Sequence, residues 1–199
     1  MTSQRIRISV VGFAYAETVD KETLRAEVRA QGPIGESTQI AVRSELFMWL
    51  SSRLPGTVSA FLAMPGEIDL SPLFERLPGW RWVLPRVEPA GRLTFRDKDV
   101  PRETHPFGMS QPMARGPEIP IREIDVFLTP GLAFDMGGGR VGNGGGYYDR
   151  VLVQRRRDSV AIGITVDSRV FAEVPMRDHD QRVDWLATEN GVTECSPTR

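Results

Sequence analysis

The stretch from Asp125 to Leu152, DVFLTPGLAFDMGGGRVGNGGGYYDRVL, limits the possible folds more than any other part of the chain. It sets a short apolar run, a glycine-dense segment and a helix start in immediate succession. Asp125 to Thr129 is apolar and partly β-branched and is stopped by Pro130-Gly131, as expected of a buried strand of a parallel sheet. The glycines that follow lack Cβ atoms, so the backbone can take positive φ and consecutive amide N–H groups can converge on an anion. A helix opening near Gly146 adds the positive end of its dipole. Tyr147, Tyr148, Asp149 and Arg150 come next and put a carboxylate at the junction, where a magnesium ion takes an oxygen ligand. The segment predicts a phosphate cradle on an α/β scaffold, against the plainer alternative of a flexible surface loop.

Two common fingerprints do not account for it. Gly137-Gly138-Gly139-Arg140-Val141-Gly142 satisfies G-x-G-x-x-G in letters, but it neither follows directly on a strand nor opens a helix. A dinucleotide-dependent oxidoreductase also needs an acidic residue at a strand end about twenty residues on, and Asp158 precedes its strand. No glycine is followed by Lys and Ser or Thr, which removes the P-loop.

The remaining elements fit an α/β frame. Asp20 can cap a helix running to about Ala30 that carries Lys21 and Arg25 on one face. Gly32-Pro33 and Gly35 separate it from a second helix, Ser37 to about Arg53, with Ile40, Phe47, Trp49 and Leu50 as its buried side. Val58 to Met64 reads as a core strand closed by Pro65-Gly66, leaving Glu67 just past its carboxyl end, the edge at which open α/β sheets bind ligands. Ser71-Pro72 starts a short helix to Leu77. Further strands are predicted at 82–84 and 92–95, an ordered loop over 105–120, and a last parallel strand at 160–166. Arg5 to Phe13 alternates as an edge strand does, and Arg155 to Arg157 reads as an exposed helix end. The expected fold is one three-layer α/β/α domain spanning 1–199, with a mostly parallel, Rossmann-like sheet.

Composition narrows the partners. With 199 residues, a net charge of −1 and a pI near 6.2, there is no electrostatic case for nucleic acid or an anionic membrane. Cys195 is the only cysteine, so neither a disulfide framework nor a thiolate metal site is available and a reducing cytoplasm is expected. No run approaches the roughly 20 apolar residues of a membrane span. Of 25 basic residues only Lys21 and Lys98 are lysines, so a retained lysine marks a position suited to a compact ammonium.

Taken together, the motifs resemble the 5-formyltetrahydrofolate cyclo-ligases, also called 5,10-methenyltetrahydrofolate synthetases. The strongest piece is Pro130 to Asp135 with Gly139 to Asp149, similar to that family's nucleotide and folate loop. Lys21 to Arg25 resembles its basic helix, Phe61 to Met64 with Glu67 its folate-binding strand end, Phe107 to Pro112 its substrate loop, and Val174-Pro175, His179-Asp180 and Val183-Asp184 its C-terminal signature.

The resemblance implies an ATP- and magnesium-dependent enzyme acting on 5-formyltetrahydrofolate, small in its partners and a monomer or weak dimer. It implies that Lys21, Arg25, Arg140, Gly142, Asn143, Gly144, Gly145, Gly146, Tyr147 and Tyr148 bind ATP, with Lys21, Arg25, Arg140 and Tyr148 at the chemistry. Leu62, Glu67, Phe107 and Tyr148 would hold the folate, and Asp149 and Asp180 the magnesium. The chain departs from the family pattern at Arg169, where glutamine is usual, at Asn143, Gly145 and Ser110, and in residues 1 to about 19. A catalytically silent relative that binds nucleotide or folate as a sensor is the second reading.

Overall fold

The computed structural model describes residues 20–106 and 108–196. The edge strand expected from Arg5 to Phe13, and Phe107, lie outside the described residues.

The described helices are α1 (Lys21–Ala30), α2 (Glu36–Ser51), α3 (Pro72–Arg76) and α4 (Tyr147–Leu152). The strands are β1 (Thr57–Ser59), β2 (Arg81–Glu88), β3 (Arg92–Asp97), β4 (Arg102–Thr104), β5 (Ser110–Pro112), β6 (Val126–Pro130), β7 (Ala133–Asp135), β8 (Arg140–Val141), β9 (Val160–Ile164), β10 (Val170–Phe171), β11 (Trp185–Thr188) and β12 (Gly191–Glu194). Seven of them form one sheet in the order β12-β11-β9-β6-β1-β2-β3. It is parallel from β11 to β2 and antiparallel at both margins. The expected mostly parallel, Rossmann-like sheet is therefore present.

The period-two alternation of the strands feeds two separate cores. Trp82 and Leu84 of β2, Leu128 of β6, Ile162 of β9 and Ala187 of β11 join one cluster, which α2 and α3 cover with Val42, Leu46, Leu50 and Leu73. Their neighbours Val83, Phe127, Ala161 and Leu186 join the other, covered by Val151 and Leu152 of α4 and by Phe134 of β7. Each large side chain so buried contributes about 1.5–3 kcal/mol. The second outer layer is thin: α4 has 6 residues, and a three-stranded sheet, β10-β7-β8, completes it.

Helix α1 begins where expected, because the Asp20 carboxylate accepts from the Thr23 amide at 2.8 Å. Leu24 and Val28, four residues apart, pack on Ala133, Val141 and Val174. In α2 the buried stripe is Val42, Leu46, Trp49 and Leu50 with Arg43 beside it, while Ile40 is 52 % exposed. Ile40 lies two residues, about 200° of helix, from Val42, so it cannot share that stripe.

Other expectations need correction. The ladder of β1 stops at Ser59; the Ala60 amide still donates to the Val83 carbonyl at 3.0 Å, and the chain then turns, with the Glu67 amide on the Met64 carbonyl at 2.9 Å. Ser71 occupies the cap of α3 without a capping bond, its own amide and hydroxyl being held by Asp69. The expected loop over 105–120 is partly a hairpin, β4 with β5, and Ile119 bridges Phe95. A further parallel strand, β11, follows β9; it is too short to show an alternation in sequence.

The arginines after α4 are not a helix end, since α4 stops at Leu152. Arg155 forks onto Asp184, which also accepts from the Ala161 amide at 2.7 Å. Arg156 donates to Asp125 at 2.6 Å, and Asp125 accepts from the Thr57 amide at 2.7 Å. These pairs tie together the amino ends of β1, β6, β9 and β11.

At the opposite edge the connections diverge. From β1 the chain proceeds to β2 on one side, whereas β6 lies on the other and leads away to β9. Such a switch point opens a crevice beyond the carboxyl ends of the two central strands. Asp125→Ala should therefore cost about 1–3 kcal/mol, since it leaves the buried Thr57 amide without its acceptor. Urea denaturation will read that loss, and activity per folded molecule should be unchanged, because the site lies at the other edge.

Candidate active site

A cleft of about 790 Å³ occupies the crevice, within the size range of small-molecule sites. Lys21 and Arg25 of α1 stand on one wall. Phe61, Leu62 and Glu67 follow β1, Pro130 and Gly131 end β6, and the loop from Gly142 to Gly146 runs into Tyr147, Tyr148 and Asp149. The far wall is Pro85 and Val87 of β2, Leu93 of β3, and Met109 and Gln111 near the β4–β5 hairpin. Every described residue assigned to the site from sequence, Arg140 and Asp180 included, lines this one cleft.

Met109 and Gln111 of the far wall fall in the segment likened to a substrate loop, whereas its Pro85, Val87 and Leu93 were missed. The signal was the alternation of Pro85 with Val87 on a strand that extends beyond the three residues predicted from sequence. Gln111 holds that wall, accepting from the Val87 amide at 3.0 Å.

The glycine run divides into two parts. Gly138 belongs to the β7–β8 turn with φ of 81°, and a Cβ there would meet the Val183 carbonyl oxygen at 2.2 Å. That half is structural: the Val183 amide donates to the Gly138 carbonyl at 2.9 Å, stapling the turn to the C-terminal segment. It opens no helix, which overturns the dinucleotide reading. The second half, from Gly142 on, faces the cleft. Gly146, at φ 62°, is the left-handed residue that turns the chain into α4. Among the described residues none of the amides from Asn143 to Gly146 has a backbone acceptor.

Each cation near the loop has a partner. Arg25 donates from Nε to the Gly142 carbonyl at 2.8 Å and pairs with Glu22, fixing α1 to the loop. Lys21 pairs with Asp180. Arg140 donates to Asp149 Oδ1 at 2.9 Å, and the same oxygen accepts from the Gln181 amide at 3.1 Å, which brings Asp149 beside the Asp180 segment. Burial would raise the Asp180 carboxyl, but the bonds from Lys21 and the Arg177 amide hold it below the usual carboxylate range.

No group of three or more His, Cys, Asp or Glu able to cage a metal occurs among the described residues. Magnesium rarely needs one, since one or two carboxylates beside phosphate oxygens and water satisfy it. Asp149 and Asp180 meet that lesser requirement, each carrying a cation that an anionic ligand could draw away.

Glu67 is half-buried, and burial pushes its carboxyl up, against a bond from the Met64 amide at 3.0 Å and the charge of Arg169. Burial also raises the Tyr148 hydroxyl, as does the negative Glu67, while Arg140 opposes. The Tyr148 oxygen is buried without a hydrogen-bond partner among the described residues. Tyr148 thus stands between the Glu67 carboxyl, which raises its hydroxyl, and the Arg140 guanidinium, which lies 5.9 Å from its ring centre.

Fold and site define a Rossmann-like α/β enzyme whose ligand cleft joins a cationic glycine loop to an apolar wall. Residues 18–189 match the profile of the 5-formyltetrahydrofolate cyclo-ligase family, and the chain belongs to that family. It is 32 % identical over 149 residues to the 5-formyltetrahydrofolate cyclo-ligase of Escherichia coli K12, covering 69 % of this chain and 80 % of that protein. It is similar to the solved 5,10-methenyltetrahydrofolate synthetase of Aquifex aeolicus, with a TM-score of 0.74, 26 % identity and coverage of 90 % and 94 %. The Mycoplasma pneumoniae synthetase structure shares the fold at a TM-score of 0.72 and 22 % identity, over 85 % of this chain and 99 % of that one. The chain is accordingly a ligase of folate metabolism, and no helix among its described residues is long and apolar enough to cross a membrane.

Burial disfavours the ionised form of Glu67 in the fold. Its raised carboxyl favours the native state when protonated, and that stability is lost as pH rises through the native value. Glu67→Gln should therefore raise Tm at pH 7, with the gain shrinking as pH falls toward the ordinary carboxylate range. Thermal melts across that pH window check the sign.

Proposed function

We propose that this enzyme spends ATP, with magnesium, to convert 5-formyltetrahydrofolate into 5,10-methenyltetrahydrofolate, releasing ADP and phosphate through a phosphorylated formyl intermediate. The observation that carries the reading is the shared cleft, which Lys21, Arg25, Arg140, the glycine loop and Glu67 all line.

An amide-like formyl carbon is a poor electrophile. Attack of its oxygen on the γ-phosphorus of ATP breaks the bond to ADP and leaves an iminium phosphate. Nitrogen 10 of the same folate then bonds to that carbon and loses its proton. The carbon–oxygen bond breaks, and phosphate departs with the electron pair. Ring closure is intramolecular, so positioning supplies much of the rate. Such a reaction asks for an anion cradle and cations more than for an acid–base pair.

The amides from Gly142 to Tyr147, with Arg140, would hold the ATP phosphates. Lys21 and Arg25 would neutralise the transferring phosphoryl group, each charge-assisted contact contributing about 1.5–3 kcal/mol. Glu67 would accept from the pterin, with Leu62 packing beside it and Tyr148 and Phe107 flanking the ring. Asp149 and Asp180 would hold magnesium, which when bound neutralises charge on the phosphates.

The test is near-ultraviolet absorbance of 5-formyltetrahydrofolate with the purified protein, watched for the methenyl chromophore. Growth of that band only with magnesium-ATP supports the proposal; binding of both ligands without the band identifies a silent relative. Asp149→Asn should remove magnesium-dependent turnover with the fold intact by circular dichroism. Near-normal activity in that variant would remove Asp149 from the metal site.

A further inference from the structure

We infer that Arg169 is a positioning residue that locks the helix carrying Lys21 and Arg25 to the turn carrying Glu67, so that the two act as one unit. The inference rests on the assignment of Glu67 to folate and of α1 to nucleotide.

Arg169 closes a 3-10 turn, Asp167–Arg169, directly after β9 and only 5 % of it is exposed. It lies behind the cleft wall and does not line it. Its Nη1 donates to the Gly66 carbonyl at 2.6 Å, the peptide that leads into Glu67. Its Nη2 donates to the Gly32 carbonyl at 3.2 Å and its Nε to Gln31 Oε1 at 3.4 Å, both just beyond the last residue of α1. Gln31 returns a bond to the Ser168 carbonyl at 3.2 Å, closing the ring of contacts. One guanidinium thus serves two segments that share no strand or helix.

The geometry needs a planar fork with three separately aimed N–H groups. An ammonium reaches one carbonyl from that place, and a glutamine amide at most two. The charge also matters. Among the described residues, Arg169 and the Tyr148 hydroxyl interact electrostatically with the Glu67 carboxyl, and Arg169 favours its ionised form. Arg169 therefore holds the turn that carries the Glu67 carboxylate and, after burial and the Met64 amide, bears on how readily it gives up its proton, without touching the substrate.

The experiment compares Arg169→Gln and Arg169→Lys with the unsubstituted protein. Arg169→Gln should raise KM for the folate by about tenfold to a hundredfold. The acidic limb of its folate kcat/KM profile should move to higher pH. Arg169→Lys should raise KM but leave that limb in place, since the charge remains. In Glu67→Gln the further change Arg169→Gln should add little, because its effect runs through Glu67. Calorimetry adds a readout independent of turnover: folate affinity should be enhanced by a non-hydrolysable ATP analogue in the unsubstituted protein, and the enhancement should vanish in Arg169→Gln.

A folded Arg169→Gln protein with KM within about twofold, an unmoved acidic limb and intact coupling overturns the inference. Effects that multiply in the double variant overturn it as well, by showing that Arg169 acts elsewhere. If Arg169→Gln fails to fold, the KM and coupling of Arg169→Lys decide. Absence of the methenyl band in the unsubstituted protein counts against the reaction chemistry alone, and an unchanged folate KM in Glu67→Gln counts against the Glu67 assignment; the calorimetric coupling still judges Arg169 in both cases.

Discussion

The parallel ladder between β1 and β6 is the constraint on which the rest depends. A parallel pair cannot be joined by a tight turn, so the chain must cross over a face of the sheet each time. Both faces are thereby covered, and the strands need apolar residues on both sides, as Phe127 and Leu128 show by entering different cores. Only the strand ends remain for polar work. The amino ends are occupied by the carboxylates of Asp125 and Asp184 with their arginines, whereas the carboxyl ends of β1 and β6 diverge and leave a cleft.

Electrostatics at the cleft is balanced before any ligand arrives. Lys21 with Asp180 and Arg140 with Asp149 are opposite charges held in place by backbone contacts from the Arg177 and Gln181 amides. Partly buried pairs of this kind add little net stability, because desolvation offsets their attraction. What they provide is orientation, since each pair fixes a cation and a carboxylate at the wall of the cleft.

Much of this was legible in the sequence because the informative residues are local in it. Asp20 with Thr23, the apolar run before Pro130 and the glycines before Tyr147 each declare themselves within a few positions. Long-range features were not legible. Nothing near Arg155 or Arg156 announces Asp184 or Asp125 as partners, and the three contacts of Arg169 come from segments more than a hundred residues away. One member of the expected buried face of α2, Ile40, was misjudged for a related reason, whereas Trp49 and Leu50 are buried as expected. Ile40 and Val42 are equally apolar, and only the position of the sheet decides which one turns inward. The glycine run hid a division of labour that letters cannot express, with Gly138 serving the packing of the C-terminal segment and Gly144 to Gly146 serving the cleft.

Lys21 is the first residue of α1, where a helix presents partial positive charge. A cation there is repelled by its own backbone, and Asp20, Glu22 and Asp180 offset that repulsion in the described fold. Lys21 therefore holds the start of α1 to the C-terminal segment through Asp180, and the charge on that one carboxylate decides whether the helix start carries an unbalanced positive load.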